Sequence, residues 1–267
     1  MIVYKNEITS AYCCGYPVTR IVACGETVWE KQEPPTPPQP TGSTKWGFVD
    51  ISGGTHDYPC DGSSTLTRTE IRAEINKFDI PTELDNYFIH SAWVGDCVTT
   101  IDENAFNAFF DMSAITISSS VTSMNYCAFK NTDIRSLVIP SGVTVVADAL
   151  CDVCKSLSSV TLHNGITSIG IDSFAGCPSL LDITIPSSVT SINNGAFHLS
   201  NSQENANALA NRRVTILATT PPTLEYGNEF GDNTNATYQI LVPSQSLQLY
   251  KTAPKWEYIA NRIFAIT

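Results

Sequence analysis

The residues best equipped for chemistry are Cys151 and Cys154, spaced as a CxxC. That spacing serves zinc binding or thiol–disulfide exchange when a second pair or an electropositive setting completes it. No second CxxC and no histidine pair does so here. The cysteines stand at 13, 14, 24, 60, 97, 127, 151, 154 and 177, an odd number that argues against a full disulfide framework. Cys13, Cys14 and Cys24 lie close enough in sequence to approach one another, and which cysteines pair is left open. His56, His90, His163 and His198 have no Ser or Cys nucleophile at a recognisable spacing and read as surface residues. No G-x-S-x-G, H-E-x-x-H or phosphate-cradling Gly loop is present. Residues 232–237 are oxygen-rich but hold a single acid, where calcium needs several converging oxygens, so a polar turn is expected. The expectation is no catalytic residue, no metal and no cofactor.

The CxxC takes on another meaning once the chain is compared with itself. Val98-Thr-Thr-Ile101, Val121-Thr-Ser-Met124, Val143-Thr-Val-Val146, Ile166-Thr-Ser-Ile169 and Val189-Thr-Ser-Ile192 are one motif, with starts 23, 22, 23 and 23 residues apart. Numbered from that start, position 9 is Phe106, Phe129, Cys151, Phe174 and Phe197. Position 15 is Met112, Ile134 (one residue early in the shorter unit), Leu157 and Leu180. Positions 18 and 20 give the pairs Ile115/Ile117, Leu137/Ile139, Val160/Leu162, Ile183/Ile185 and Val214/Ile216. Apolar residues alternating with polar ones define a short strand with one face inward. One unit cannot bury that face alone, but stacked units share a continuous core, and their strands form a parallel sheet. Cys151 falls in the ring slot and Cys154 in the slot of Cys177, so these thiols are expected to be core. The expected fold is mainly β with short helical or irregular segments: a leucine-rich-repeat solenoid between a small N-terminal β module and a C-terminal cap.

The consensus V-T-S-I-G-x-x-A-F-x-x-C-x-x-L-x-x-I-x-I-P-x-S closely resembles the BspA-like leucine-rich-repeat family, and residues 166–188, ITSIGIDSFAGCPSLLDITIPSS, nearly reproduce it. Residues 218–224, 240–243, 249–251 and 256–263 are similar to the caps that close such solenoids in Bacteroides-group bacteria and their phages. The resemblance implies surface adhesion and protein binding, without catalytic residues. The segments 2–4, 17–22 and 25–29 read as three short strands, a pattern similar to small modules on virion proteins of phages of that group, including crAss-like phages. Pro34, Pro35, Pro37, Pro38 and Pro40 then read as a stiff spacer. The expected division is a docking module at 1–32, a linker at 33–43, an N-terminal cap with a degenerate first repeat at 44–97, repeats at 98–217 and a C-terminal cap at 218–267. Within the cap, Thr67 is expected to cap a short helix with Glu70 at the third position, its acids Glu70, Glu74 and Asp79 facing solvent. The insertion after His198, 199–211, reads as a helix or a tolerated surface loop.

Composition bounds the function. Of 267 residues only 15% are charged, and acids outnumber Lys and Arg 26 to 15 for a net charge of −11 without a basic cluster, which disfavours nucleic acid. No apolar run is long enough to span a membrane. The first residues lack the basic flank and apolar stretch of a signal peptide, so the expected location is a virion that leaves by assembly and lysis, or alternatively the bacterial cell surface. Between the core positions, Thr116, Val138, Thr161, Thr184 and Thr215, flanked by Ser136, Ser159, Asp182 and Arg213, should form the open sheet face. Thr116, Val138, Thr161, Thr184, Thr215, Asp182 and Arg213 are the candidate binding residues there. Tyr4, Arg20, Ile21 and Trp29 are the candidate docking residues of the N-terminal module. Exposed aromatics are expected to gather at the two ends, at Trp46, Tyr58, Tyr87 and Trp93 and at Tyr226, Tyr250, Trp256 and Tyr258, many of them capping core. The leading expectation is a non-enzymatic phage virion protein, a tail or head appendage that binds other virion proteins and a host surface protein or glycan, as a homo-oligomer. The alternative is a bacterial cell-surface adhesin.

Overall fold

The computed structural model describes residues 12–13, 16–17, 44–78, 86–199, 211–231 and 238–266. Near the N-terminus, Tyr12–Cys13 pairs antiparallel with Tyr16–Pro17. The docking candidates Tyr4, Arg20, Ile21 and Trp29, the proline spacer, Asp79, the stretch 232–237 and residues 200–210 of the insertion lie outside the described residues.

The cap begins with Thr44–Asp50, which runs antiparallel to Thr55–Pro59 on one side and to Ile89–Val94 on the other. Its tight turn is held by Asp50, whose carboxylate accepts the backbone N–H of Ser52 at 2.8 Å and of Gly54 at 2.9 Å. Gly53 supplies the positive φ of 89° that the reversal needs. The helix Arg68–Ile75 starts where the sequence predicts, the Thr67 hydroxyl accepting the Glu70 N–H at 3.1 Å. Ile71 and Ile75, one turn apart, face the core. Glu70 does not simply face water, as expected, because it meets the ammonium of Lys45 at 2.9 Å. Lys45 is 1% exposed and also reaches Asp61 at 3.0 Å. Burial alone would lower the Lys45 pKa, but the hydrogen bonds to Glu70 and Asp61 outweigh it and raise it. Cys60 and Cys97 form a disulfide across 37 residues, tying the segment after the hairpin to the edge of the first repeat.

From Ile89–Val94 the sheet turns parallel and becomes a solenoid of about seven turns. A long ladder carries Ile89–Val94, Ala114–Ile117, Ser136–Val138, Ser159–Thr161, Asp182–Ile185, Arg213–Ile216, Gln239–Val242 and Ile263–Ala265. A second, short ladder carries two-residue strands, Thr65–Leu66, Thr100–Ile101, Ser123–Met124, Val145–Val146, Ser168–Ile169, Ser191–Ile192 and Thr223–Leu224. Both therefore run past the 98–217 stretch at each end, and the fold is the mostly β leucine-rich-repeat solenoid that the periodicity predicts.

The repeat motif is explained atom by atom. Position 1 (Val98, Val121, Val143, Ile166, Val189) and position 4 (Ile101, Met124, Val146, Ile169, Ile192) are buried. Position 2 is threonine because its N–H and hydroxyl both donate to the carbonyl one coil back. Thr167 reaches Thr144 O at 2.8 and 3.1 Å, and Thr190 reaches Thr167 O at 2.9 and 3.2 Å. The rings at position 9 stack along the axis, Phe106 on Phe129 and Phe174 on Phe197, each pair 5.6 Å apart. Phe230 extends the column, 5.7 Å from Phe197. Cys151 is buried in the gap between the two stacks.

Two features lie beyond the apolar pattern. Positions 7 and 11 hold positive φ in coil after coil: Asn104 and Ala108, Cys127 and Asn131, Ala149 and Val153, Asp172 and Gly176. Those bends let N–H groups at positions 7, 9 and 11 donate to the next coil, as Cys151 N does to Ser173 O at 2.8 Å and Val153 N to Ala175 O at 2.8 Å. The long ladder loses strand pairing between Ala114–Ile117 and Ser136–Val138, and the short ladder between Ser123–Met124 and Val145–Val146. Both breaks fall across the one 22-residue unit, and the long ladder is interrupted once more, between Ser159–Thr161 and Asp182–Ile185.

Candidate functional site

The sulfur-rich slot is core, as the register implies. Cys151, Cys154 and Cys177 are free and buried. The Cys154 sulfur lies 3.0 Å from Phe129 O and 3.3 Å from Thr132 Oγ1, and Cys177 donates to Cys151 O at 3.1 Å. Burial pushes the Cys151 and Cys177 thiols well above their ordinary value, whereas at Cys154 burial is outweighed by hydrogen bonds from Cys151 and Thr132, which lower it. Among the described residues no group of three His, Cys, Asp or Glu is placed to hold a metal ion. No described helix is long and apolar enough to cross a membrane.

The histidines divide. His163 is a turn residue, its Nδ1 accepting Gly165 N at 2.9 Å and its Nε2 facing Val143 O at 2.9 Å. His56 Nε2 lies 2.8 Å from Asp50. His90, expected at the surface, is buried, because it sits on Ile89–Val94, a strand buried along its whole length between cap and solenoid. The expected end aromatics split likewise. Trp46, Trp93, Tyr250 and Trp256 are buried, while Tyr87, Tyr226 and Tyr258 are exposed.

The candidate residues of the sheet face fall into register-matched pairs on the outward positions of successive long-ladder strands. Val138 is opposite Thr161, Thr184 opposite Thr215, and Asp182 opposite Arg213. Asp182 and Arg213 form an exposed ion pair at 2.7 Å, with the carboxylate raising the guanidinium's pKa. Val138 is 63% exposed, whereas Thr116 and Thr215 are half-buried. The row continues where sequence periodicity had stopped: Leu241 lies beside Thr215, and Phe264, 45% exposed, beside Leu241. At its other end the row meets Trp93, which packs over Gly47 of the cap and is buried.

A residue the sequence reading passed over holds the fifth unit together. Arg212, adjacent to the insertion, is buried and donates to Leu180 O at 2.9 Å, Phe197 O at 2.7 Å and Cys177 O at 2.6 Å. Burial lowers its pKa to about 10, still far above neutrality, so the guanidinium stays charged. It aligns with no repeat position, and only its place beside an insertion marks it.

On the short-ladder side, a cleft of about 430 Å³ opens where pairing is lost. Glu103, Asn125, Tyr126, Val145, Ala147 and Asp148 are among the residues that line it. Tyr126 is 52% and Val145 50% exposed.

These ladders, the stacked rings and the 22- to 23-residue coil define a parallel β-solenoid of leucine-rich-repeat type. Residues 74–204 match the family described as BspA type Leucine rich repeat region, in six copies. No curated protein matches the chain. Among solved structures it is similar to a leucine-rich repeat protein from Bacteroides ovatus ATCC 8483, at 21% identity and a TM-score of 0.37 over 59% of this chain. The chain spans 44% of that protein's length. A leucine rich cell surface protein from Faecalibacterium prausnitzii A2-165 is 17% identical, with a TM-score of 0.33, over 90% of this chain and 77% of that one. Pneumococcal vaccine antigen PcpA is 14% identical, with a TM-score of 0.28, over 66% of each.

Proposed function

We propose that the chain is a non-enzymatic binding scaffold that works outside the reducing cytoplasm, displayed at a surface. The observation that carries it is the outward position of the long ladder, where Val138 pairs with Thr161, and Thr184 with Thr215, Leu241 and Phe264 in turn. A rigid stack that repeats one outward position coil after coil suits an extended contact with a protein or glycan. The Cys60–Cys97 disulfide supports the location, since such bonds persist in oxidising compartments and on virion or cell surfaces.

Two homes fit. A phage tail or head appendage, assembling as a homo-oligomer with other virion proteins through residues 1–32, is favoured by the three short strands read from the sequence at 2–4, 17–22 and 25–29 and by the proline spacer. A bacterial cell-surface adhesin fits the BspA-type repeat equally. Beads coated with the purified chain should adhere to Bacteroides-group cells, and Val138→Asp with Arg213→Ala should weaken adhesion without unfolding the chain. Adhesion no better than uncoated beads sinks the scaffold reading. Mass spectrometry of purified particles against protease-shaved cell surfaces assigns the home.

A further inference from the structure

We propose that the cleft at the ladder break is a docking site for a lysine- or arginine-bearing segment of a partner protein; this rests on the scaffold reading above. Three independent observations converge there. The first is backbone pairing. Asn125 N donates to Ile101 O and Gly170 N to Val146 O, both at 2.9 Å, yet Ala147 makes no such bond to Met124. The threonine column is interrupted at the same place, since Thr122 and Thr167 bond the coil before them and Thr144 does not. Ladder groups left open beside a cleft can receive an extended chain.

The second observation is the outward side chains. Position 3 is Thr or Ser in the other units, at Thr100, Ser123, Ser168 and Ser191, but Val145 here. Position 6 is Glu103, Tyr126, Asp148, Ile171 and Asn194, so the one ring in that column stands at the break. Neither Val145 nor Tyr126 serves the core, both being about half exposed.

The third is charge. Glu103 and Asp148 flank Tyr126 on the neighbouring coils, are exposed, and have no ion-pair partner among the described residues. The nearby Lys130 is already paired with Asp152 at 2.8 Å. A ring between two carboxylates is the chemistry that accepts an ammonium or guanidinium, while Val145 gives its alkyl stem an apolar wall. The chain's net charge of −11 steers a basic partner toward it.

The test is fluorescence anisotropy of a fluorescein-labelled oligolysine peptide against the full chain, with circular dichroism to confirm the fold of each variant. Tyr126→Ala should weaken binding about tenfold, and Glu103→Gln with Asp148→Asn by a similar factor, the asparagine retaining the acceptor that holds Ile171 N. Asp57→Asn with Glu257→Gln, two exposed acids elsewhere, should leave binding unchanged. Equal weakening in that control pair, or indifference to Tyr126→Ala, overturns the site. So does Tyr126-dependent binding of a neutral maltooligosaccharide without peptide binding, which would assign the cleft to glycan. Folded chain on beads that adheres to cells yet ignores the peptide rejects the cleft and leaves the scaffold reading intact.

Discussion

The rings of Phe106 and Phe129 lie 5.6 Å apart and 11° from parallel, one coil directly above the other. Phe174 and Phe197 repeat the relationship at 5.6 Å and 14°, and the fully buried Cys151 separates the two stacks. A solenoid in which each coil touches only its neighbours has no distant core to compensate for a lost ring. Phe129→Ala should cost about 4 kcal/mol, transfer and cavity terms together. Cys151→Ala, which removes one small atom from the same column, should cost about 1 kcal/mol. Urea denaturation of the two variants compares them, and equal losses would mean that the column is not a cooperative unit.

The Cys60–Cys97 bond closes a loop containing the helix and the strand Ile89–Val94 that seeds the long ladder. In the chain-entropy picture a closure of this length stabilises by about 4 kcal/mol. Cys60→Ser with Cys97→Ser should therefore lower the Tm markedly, and reductant should lower the wild type toward that value while leaving the double variant unmoved. A reductant effect of the same size in both would place the redox sensitivity elsewhere.

The core of this fold is legible because packing acts on side-chain type at fixed spacing. Val98, Phe129, Leu157 and Ile185 are apolar where they must be, and Thr67 announces its helix by a hydroxyl at the one place a hydroxyl helps. What escapes the sequence is whatever depends on backbone or on partners distant in the chain. Positive φ at positions 7 and 11 is borne by Asn, Cys, Ala, Val and Asp as well as by Gly176 and Gly195, so no glycine pattern marks it. The pairing of Cys60 with Cys97 joins two residues outside the repeat. Alternation puts the seven candidates of the sheet face on outward strand positions, but it says nothing of Leu241 and Phe264, which enter after an irregular stretch. The 22-residue spacing was visible, whereas the loss of pairing across it, and hence the cleft beside Tyr126, was not.

Arg212 and Arg213 are chain neighbours with opposite roles. Arg212 satisfies three buried carbonyls, and Arg213 meets Asp182 in solvent. Arg212→Met should cost about 3 kcal/mol, because the acceptors stay buried without donors. Arg212→Lys, with one compact head for three divergent carbonyls, should fall between. Arg213→Ala should cost under about 0.5 kcal/mol. Thermal melts of the three rank them, and a loss at Arg213 matching that at Arg212 would contradict this division of labour.

Val153 holds φ at 61°, a left-handed conformation that a β-branched side chain adopts at a cost. The chain accepts it because Val153 N must reach Ala175 O in the next coil, at 2.8 Å, to continue the third line of bonds. The equivalent residue one coil later is Gly176, and one coil earlier Asn131, both suited to that backbone. Val153→Asn keeps the N–H and removes the branch, without the added unfolded-state freedom of glycine. It should stabilise the chain by about 1 kcal/mol and raise the Tm, less whatever the valine methyl gains by packing near Gly176. The same change at Thr161, an ordinary strand residue on the open face, should destabilise slightly, since asparagine is a poorer strand former than threonine. If Val153→Asn melts lower than the wild type, packing against Gly176 outweighs backbone strain at position 11.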